Sequence, residues 1–133
     1  TADSVCFKGE GFVITGDTLF NATVGNCFSG DLSAFYRSLK QLTDLPGDTL
    51  VYAGHDYVEG SLNEALAIEP GNPDIEVYRK AYGKDPVVST LADELKVNPY
   101  IRFNAPAIVR LLKERNLPSA TEEERFTAMM EVF

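Results

Sequence analysis

Apolar and polar positions in the first half of the chain predict an α/β unit. Residues 4–7 and 12–16 are mostly apolar or β-branched and flank a turn with two glycines, which predicts a β-hairpin. Asp31 precedes apolar residues spaced three and four apart, which predicts a capped helix. Residues 49–54 predict the next strand, and the loop 21–30, rich in Gly and small residues, is expected to line a site. The resulting β-β-α-β order, with short connections, is typical of α/β folds.

After Tyr57 the pattern becomes helical. Helices are predicted over residues 59–69, 74–82, 90–95 and 106–115, and another should follow Thr121, where a Thr-x-x-Glu capping box begins. We expect no strand in this half. The last helix carries an apolar stripe that is expected to be core or an oligomer contact; its residues are Phe126, Met129, Met130 and Phe133. The sequence therefore predicts two parts, residues 1–58 and a helical extension over residues 59–133.

Two predicted strands end in a glycine that is followed by a possible metal ligand. Asp17 follows Gly16, and His55, the only histidine of the chain, follows Gly54. If both strands belong to one sheet, these side chains meet at its edge, where Asp and His can bind zinc. Each residue also has a simpler role, because Asp often completes a turn and a single His is often structural. Two ligands are also fewer than the three of a catalytic zinc site.

Composition limits the kinds of binding partner and the cellular location that we expect for this chain. The net charge of −8 disfavours nucleic-acid binding, and no apolar run is long enough to cross a membrane. The 133 residues suffice for one domain with a sizeable core. Two cysteines, Cys6 and Cys27, do not make a disulfide framework, so we expect a reducing, cytoplasmic location.

Several segments, in their order along the chain, resemble one enzyme family. They are Gly16-Asp17-Thr18-Leu19-Phe20, the glycines Gly25 and Gly30, Gly54-His55-Asp56-Tyr57, Glu69-Pro70-Gly71-Asn72-Pro73, Ser89-Thr90-Leu91-Ala92-Asp93-Glu94 and Asn98-Pro99. Together they resemble the metallo-β-lactamase fold and, within it, the glyoxalase II (hydroxyacylglutathione hydrolase) branch. The resemblance runs from residue 4 to residue 100.

The resemblance implies an α/β (α+β) fold, with the C-terminal half of an αββα sandwich over residues 1–58 and the helical extension after it. It implies a two-metal centre, with zinc expected and iron or manganese as alternatives. In that centre Asp17 would bridge both metals and His55 would bind the second. Asp56 would orient His55, and Tyr57 would contact the thiol part of the substrate. The implied reaction is hydrolysis of a small-molecule thioester, such as a hydroxyacylglutathione, by a metal-bridging hydroxide.

The chain also departs from the family pattern. The family's His-x-His-x-Asp-His motif and a later histidine are absent, so we expect an enzyme's C-terminal part that is inactive alone. An N-terminal half or a homodimer would supply the rest. Asn26 stands where the family has the Lys or Arg that binds the glycine carboxylate of glutathione, and Phe28 replaces an aromatic residue with a hydroxyl. Both are expected to contact substrate, and a different thioester or an ester stays an alternative.

Two other functions stay open at this point. An iron-dependent persulfide dioxygenase of the same fold shares the Gly-Asp and His-Asp-Tyr segments, and iron content with oxygen consumption would distinguish it. A non-catalytic half-domain would instead bind a partner through an exposed apolar sheet face.

Overall fold

The computed structural model describes residues 4–83 and 87–133 as a mixed α/β fold with six helices and two sheets. The strands are β1 (Phe7–Lys8), β2 (Phe12–Gly16), β3 (Leu19–Phe20), β4 (Thr23–Val24), β5 (Leu50–Ala53) and β6 (Ser89–Thr90). The helices are α1 (Leu32–Thr43), α2 (Val58–Ile68), α3 (Asp74–Ala81), α4 (Leu91–Val97), α5 (Pro106–Glu114) and α6 (Glu122–Val132). The α/β fold class expected from the sequence is therefore confirmed.

The larger sheet has the strand order β1-β2-β5-β6. Strands β2 and β5 are parallel, with α1 crossing between them, while β1 and β6 pair antiparallel at the two edges. The predicted hairpin is confirmed, although its first strand begins at Phe7 and not at Ser4. The parallel pair matters most for the site, because neighbouring parallel strands end at the same edge of a sheet.

Helix starts follow local signals that the sequence carries. The Asp31 carboxylate accepts a hydrogen bond from the Ala34 amide at 2.8 Å and begins α1. Capping boxes begin α4 at Thr90 and α6 at Thr121, and α5 has proline in its first turn. All six predicted helices are confirmed. Among residues 4–83 and 87–133, no helix has both the length and the apolar character needed to cross a membrane.

Two predictions about strands are wrong. The expected loop 21–30 contains β4, which pairs with β3 across the two-residue turn of Asn21 and Ala22. The second half, expected to lack strands, contributes β6, which pairs with β5. Each of these three strands has two residues, too few to show a period of two, and their pairing depends on tertiary contacts.

One face of the larger sheet forms the core with helices from both halves of the chain. Val13 and Val51, in matching register, pack with Leu39 of α1 and with Phe126 of α6. Buried residues of this cluster also come from α4 and the segment after it; they are Leu91, Ile101 and Phe103. The α6 stripe is core at Phe126 and Met129, both fully buried. The division at residue 58 stays a prediction.

The other face of the larger sheet is apolar and exposed in the part of the chain that the structure describes. Alternate residues of three neighbouring strands form it, as the pleat requires. They are Phe7, Phe12, Ile14, Leu50 and Tyr52. Phe7 is 64% exposed, and the Phe12 and Tyr52 rings meet edge to face at 6.2 Å between centroids.

Candidate metal centre

Asp17 and His55 lie together at the carboxyl edge of the parallel strand pair. Gly16 at the end of β2 is in register with Ala53 at the end of β5. The Asp17 Oδ1 atom lies 3.5 Å from the His55 Nε2 atom, and the two side chains are 65% and 57% exposed. The expectation that the two strand ends meet is therefore confirmed, while their role as metal ligands stays a prediction.

Glycines make this close approach possible. The Gly54 amide donates to the Gly16 carbonyl at 2.8 Å, and a Cβ on Gly54 would lie 2.9 Å from Asp17 Oδ1. A Cβ on Gly25 would lie only 1.8 Å from the Asp17 carbonyl oxygen. Gly16 itself has φ +51°, a left-handed conformation that favours glycine. These backbones can therefore pack around Asp17 only without side chains.

The distance between the two donors suits ligands of a single ion. With bonds of 2.0–2.1 Å, two ligands of a tetrahedral zinc lie about 3.3 Å apart. The separation of 3.5 Å between Asp17 Oδ1 and His55 Nε2 is close to that value. Within the described ranges no group of three His, Cys, Asp or Glu side chains could hold a metal. The residues present thus fit a metal as two of its ligands, and a catalytic site needs more.

Phe20, His55 and Tyr57 form an aromatic cluster. Phe20 of β3 packs edge to face on Tyr57 at 5.1 Å, and its ring lies 6.3 Å from that of His55. The His55 and Tyr57 rings lie 5.6 Å apart. Phe20 is a site residue that the sequence pattern did not indicate. The one signal was its position three residues after Asp17, in the same motif.

Two cavities lie beside the candidate metal centre, and two of the three predicted substrate residues, Tyr57 and Asn26, line them. Tyr57, Asp56 and Asn26 line a cavity of about 580 Å³, and Asn26 also lines one of about 340 Å³ together with Asp17. Phe28 lines neither of these two cavities and is 77% exposed. The Asp56 carboxylate accepts a hydrogen bond from the Val58 amide at 3.1 Å, at the start of α2.

The larger cavity is acidic. Its lining includes the carboxylates of Asp56, Glu59 and Glu64, and no Lys or Arg is among the described residues that line it. Glu59 accepts a hydrogen bond from Tyr82 and pairs with Arg79 at 2.8 Å. The hydrogen bond to Glu59, with a smaller contribution from burial, raises the pKa of Tyr82 to about 12. Arg79, which lies outside the cavity lining, therefore neutralises only part of the negative charge of this cavity.

Comparison with known proteins identifies the family. Residues 56–132 match the family model described as hydroxyacylglutathione hydrolase C-terminus. The chain belongs to this family. The resemblance to the glyoxalase II branch is thereby confirmed. The matched region begins directly after His55, so it contains Tyr57 and the helical extension but neither of the two candidate ligands.

Curated relatives align over a larger part of the chain. A protein from Pseudoalteromonas translucida named hydroxyacylglutathione hydrolase is 38% identical over 84% of this chain and 46% of its own length. One of the same name from Methylobacillus flagellatus is 38% identical over 85% of this chain and 48% of its own. Another of this name, from Photobacterium profundum, is 33% identical over 97% of this chain and 53% of its own length. The chain thus spans about half the length of the curated relatives it matches.

Proposed function

We propose that this chain carries one part of the metal centre of a thioester hydrolase of the glyoxalase II type. The observation that supports this most is the pairing of Asp17 Oδ1 with His55 Nε2 at 3.5 Å, at the carboxyl edge of parallel strands. Relatives named hydroxyacylglutathione hydrolase support the class of substrate.

Asp17 and His55 would hold the metal, with zinc expected and iron or manganese as alternatives. A bound metal supplies a Lewis acid that polarises a carbonyl and makes hydroxide available near neutral pH. Asp17 has two carboxylate oxygens and can therefore contact two ions, as a two-metal centre requires. His55 would bind through its neutral imidazole, with Nε2 already facing Asp17.

The thiol part of the substrate would bind in the cavity of about 580 Å³ next to this centre. Tyr57 is 53% exposed there and offers both a ring face and a hydroxyl, and Asn26 offers an uncharged amide. Like charges at close range disfavour binding, and glutathione carries two carboxylates. The acidic lining therefore favours a thiol with fewer negative charges. Asn26→Lys would add the missing cation, and we expect it to improve binding of a glutathione thioester over one with a neutral thiol.

A second candidate function is partner binding through the exposed sheet face. Five apolar side chains from three neighbouring strands form that face, and such surfaces mark interaction sites. Its occupant would be a segment of the kind that the longer relatives carry beyond the matched half, or a second copy of this chain. Sedimentation at increasing concentration tests the second copy, because a monomer at all concentrations contradicts it.

Metal titration tests the proposed centre directly. We expect zinc binding to the purified chain to weaken at least tenfold in Asp17→Asn and in His55→Gln, because each removes one of two ligands. Asp48→Asn, an exposed carboxylate in the turn before β5, is the matched control and should bind like the unaltered chain. Equal zinc affinity in all four proteins would refute the metal centre. A thioester panel then tests the reaction, with the chain alone expected to be inactive.

A further inference from the structure

A buried carboxylate of the helical extension reaches the segment that follows Asp17. Glu94 of α4 is completely buried. Its Oε1 atom accepts hydrogen bonds from the hydroxyls of Tyr78 at 2.7 Å and Ser89 at 2.6 Å. Its Oε2 atom accepts one from the backbone amide of Ala22 at 2.7 Å. A buried carboxylate is costly unless its hydrogen bonds are satisfied, so this network fixes the geometry of its members.

The amide that Glu94 binds belongs to an unfavourable turn. Ala22 has φ +67°, a left-handed conformation that costs a residue with a side chain about 1 kcal/mol. It is the second residue of the two-residue turn between β3 and β4. Strands of two residues do not hold a hairpin by themselves, so this turn needs external support. Asn98 adds a second anchor, because its side-chain amide donates a hydrogen bond to the Thr23 carbonyl at 2.8 Å.

Both strands of this hairpin lead to the candidate metal centre. Phe20 of β3 contacts the rings of His55 and Tyr57. Gly25, directly after β4, packs against the Asp17 carbonyl and donates its amide to Thr18 at 3.1 Å. A displacement of the turn at Ala22 is therefore transmitted along β3 to His55 and along β4 to Asp17.

We infer that Glu94 is a positioning residue of the metal centre, which acts by holding the β3–β4 hairpin against Asp17 and His55. This inference rests on the proposed function, since positioning has a purpose only if the two residues bind a metal. It assigns part of the site to a side chain 72 residues away in sequence from the turn that it holds.

The test compares three variants of the whole chain with the unaltered protein. Glu94→Gln keeps the shape and removes the carboxylate. Tyr78→Phe is the matched control, because it breaks a bond to the same carboxylate at the oxygen that does not contact Ala22. Glu94→Gln combined with Ala22→Gly removes the cost of the left-handed turn and should act as a rescue. Two readouts are recorded on folded protein: the affinity for zinc, and NMR shifts of the Ala22–Asn26 amides and of the single histidine ring.

In Glu94→Gln we expect both sets of resonances to move and zinc affinity to fall about tenfold, the lower end of effects seen for groups that orient metal ligands. Tyr78→Phe should retain the resonance positions and the zinc affinity of the unaltered chain. The double variant Glu94→Gln with Ala22→Gly should recover most of the zinc affinity. Unchanged shifts and affinity in Glu94→Gln would overturn the inference, as would an equal loss in Tyr78→Phe. If the unaltered chain binds no zinc, Asp17 and His55 alone do not suffice to hold the metal, and the resonances then decide the inference about the hairpin.

Hydrogen exchange in the unaltered chain covers the case in which Glu94→Gln does not fold. If Glu94 holds the turn, the Ala22 amide should be protected as strongly as the amides in the centre of α4. It should then exchange only through global unfolding. Exchange of Ala22 at the rate of an exposed loop, with α4 protected, would overturn the inference without any substitution.

Discussion

Replacing Gly25 by alanine tests whether close backbone packing shapes the candidate metal centre. The added Cβ would lie 1.8 Å from the Asp17 carbonyl oxygen. Carbon and carbonyl oxygen approach to about 3.3 Å at the closest, so the two backbones must separate by about 1.5 Å. Gly25 is not among the glycines with positive φ, so the conformation suits alanine and the whole cost is steric. The contact involves two main chains, and neither can move away by changing a rotamer.

We expect Gly25→Ala to lower the free energy of unfolding by about 3 kcal/mol, the upper part of the range for overpacking. Zinc affinity should fall at least tenfold as well, because the shift displaces the backbone of Asp17. Urea unfolding and zinc titration measure the two effects. The matched control is Gly71→Ala, where a Cβ would meet no atom within 4 Å. If Gly25→Ala unfolds and binds zinc as Gly71→Ala does, close packing of the Gly25 backbone does not shape this site.

Two further substitutions address stability. Thr121→Ala removes the hydroxyl that accepts from the Glu124 amide at 3.1 Å, and should cost about 1 kcal/mol in urea unfolding, while Thr121→Ser should cost little. Burial raises the pKa of Glu94 above that of the unfolded chain. The folded chain therefore retains a proton that the unfolded chain releases, and stability should fall as pH rises from about 4.3 through the raised value. Glu94→Gln should lack that part of the decline; parallel pH curves for the two proteins would contradict this assignment.

The features that the sequence predicts well are those with local causes. β2 is a short apolar run that ends in Gly16, and β5 is one that Gly54 directly follows. Helices α4 and α6 each begin at a four-residue capping box. The meeting of Asp17 and His55 was predictable for the same reason, because each directly follows a glycine at the end of an apolar run. Their geometry then required only that the two strands be parallel neighbours.

The features that the sequence did not predict depend on distant contacts. β6 is the dipeptide Ser89-Thr90, which becomes a strand only by pairing with β5. Glu94 lies in a helical stretch with other charged residues, where a solvent-exposed position is the ordinary expectation. Its burial depends on the partners Tyr78, Ser89 and Ala22. Phe20 resembled an ordinary strand residue because its contacts with His55 and Tyr57 come from another strand end.

Hydrogen bonds and core packing connect the helical extension to the candidate metal centre. The family model matches residues 56–132, whereas Asp17 lies outside that match. The extension nevertheless supplies Glu94 and Asn98, which hold the hairpin beside Asp17, and it supplies Phe126 to the core under β2. A hairpin whose strands have only two residues each cannot fix its own position. Its placement must therefore come from the elements packed against it. Substitutions in the extension are therefore expected to change zinc affinity while Asp17 and His55 stay unaltered.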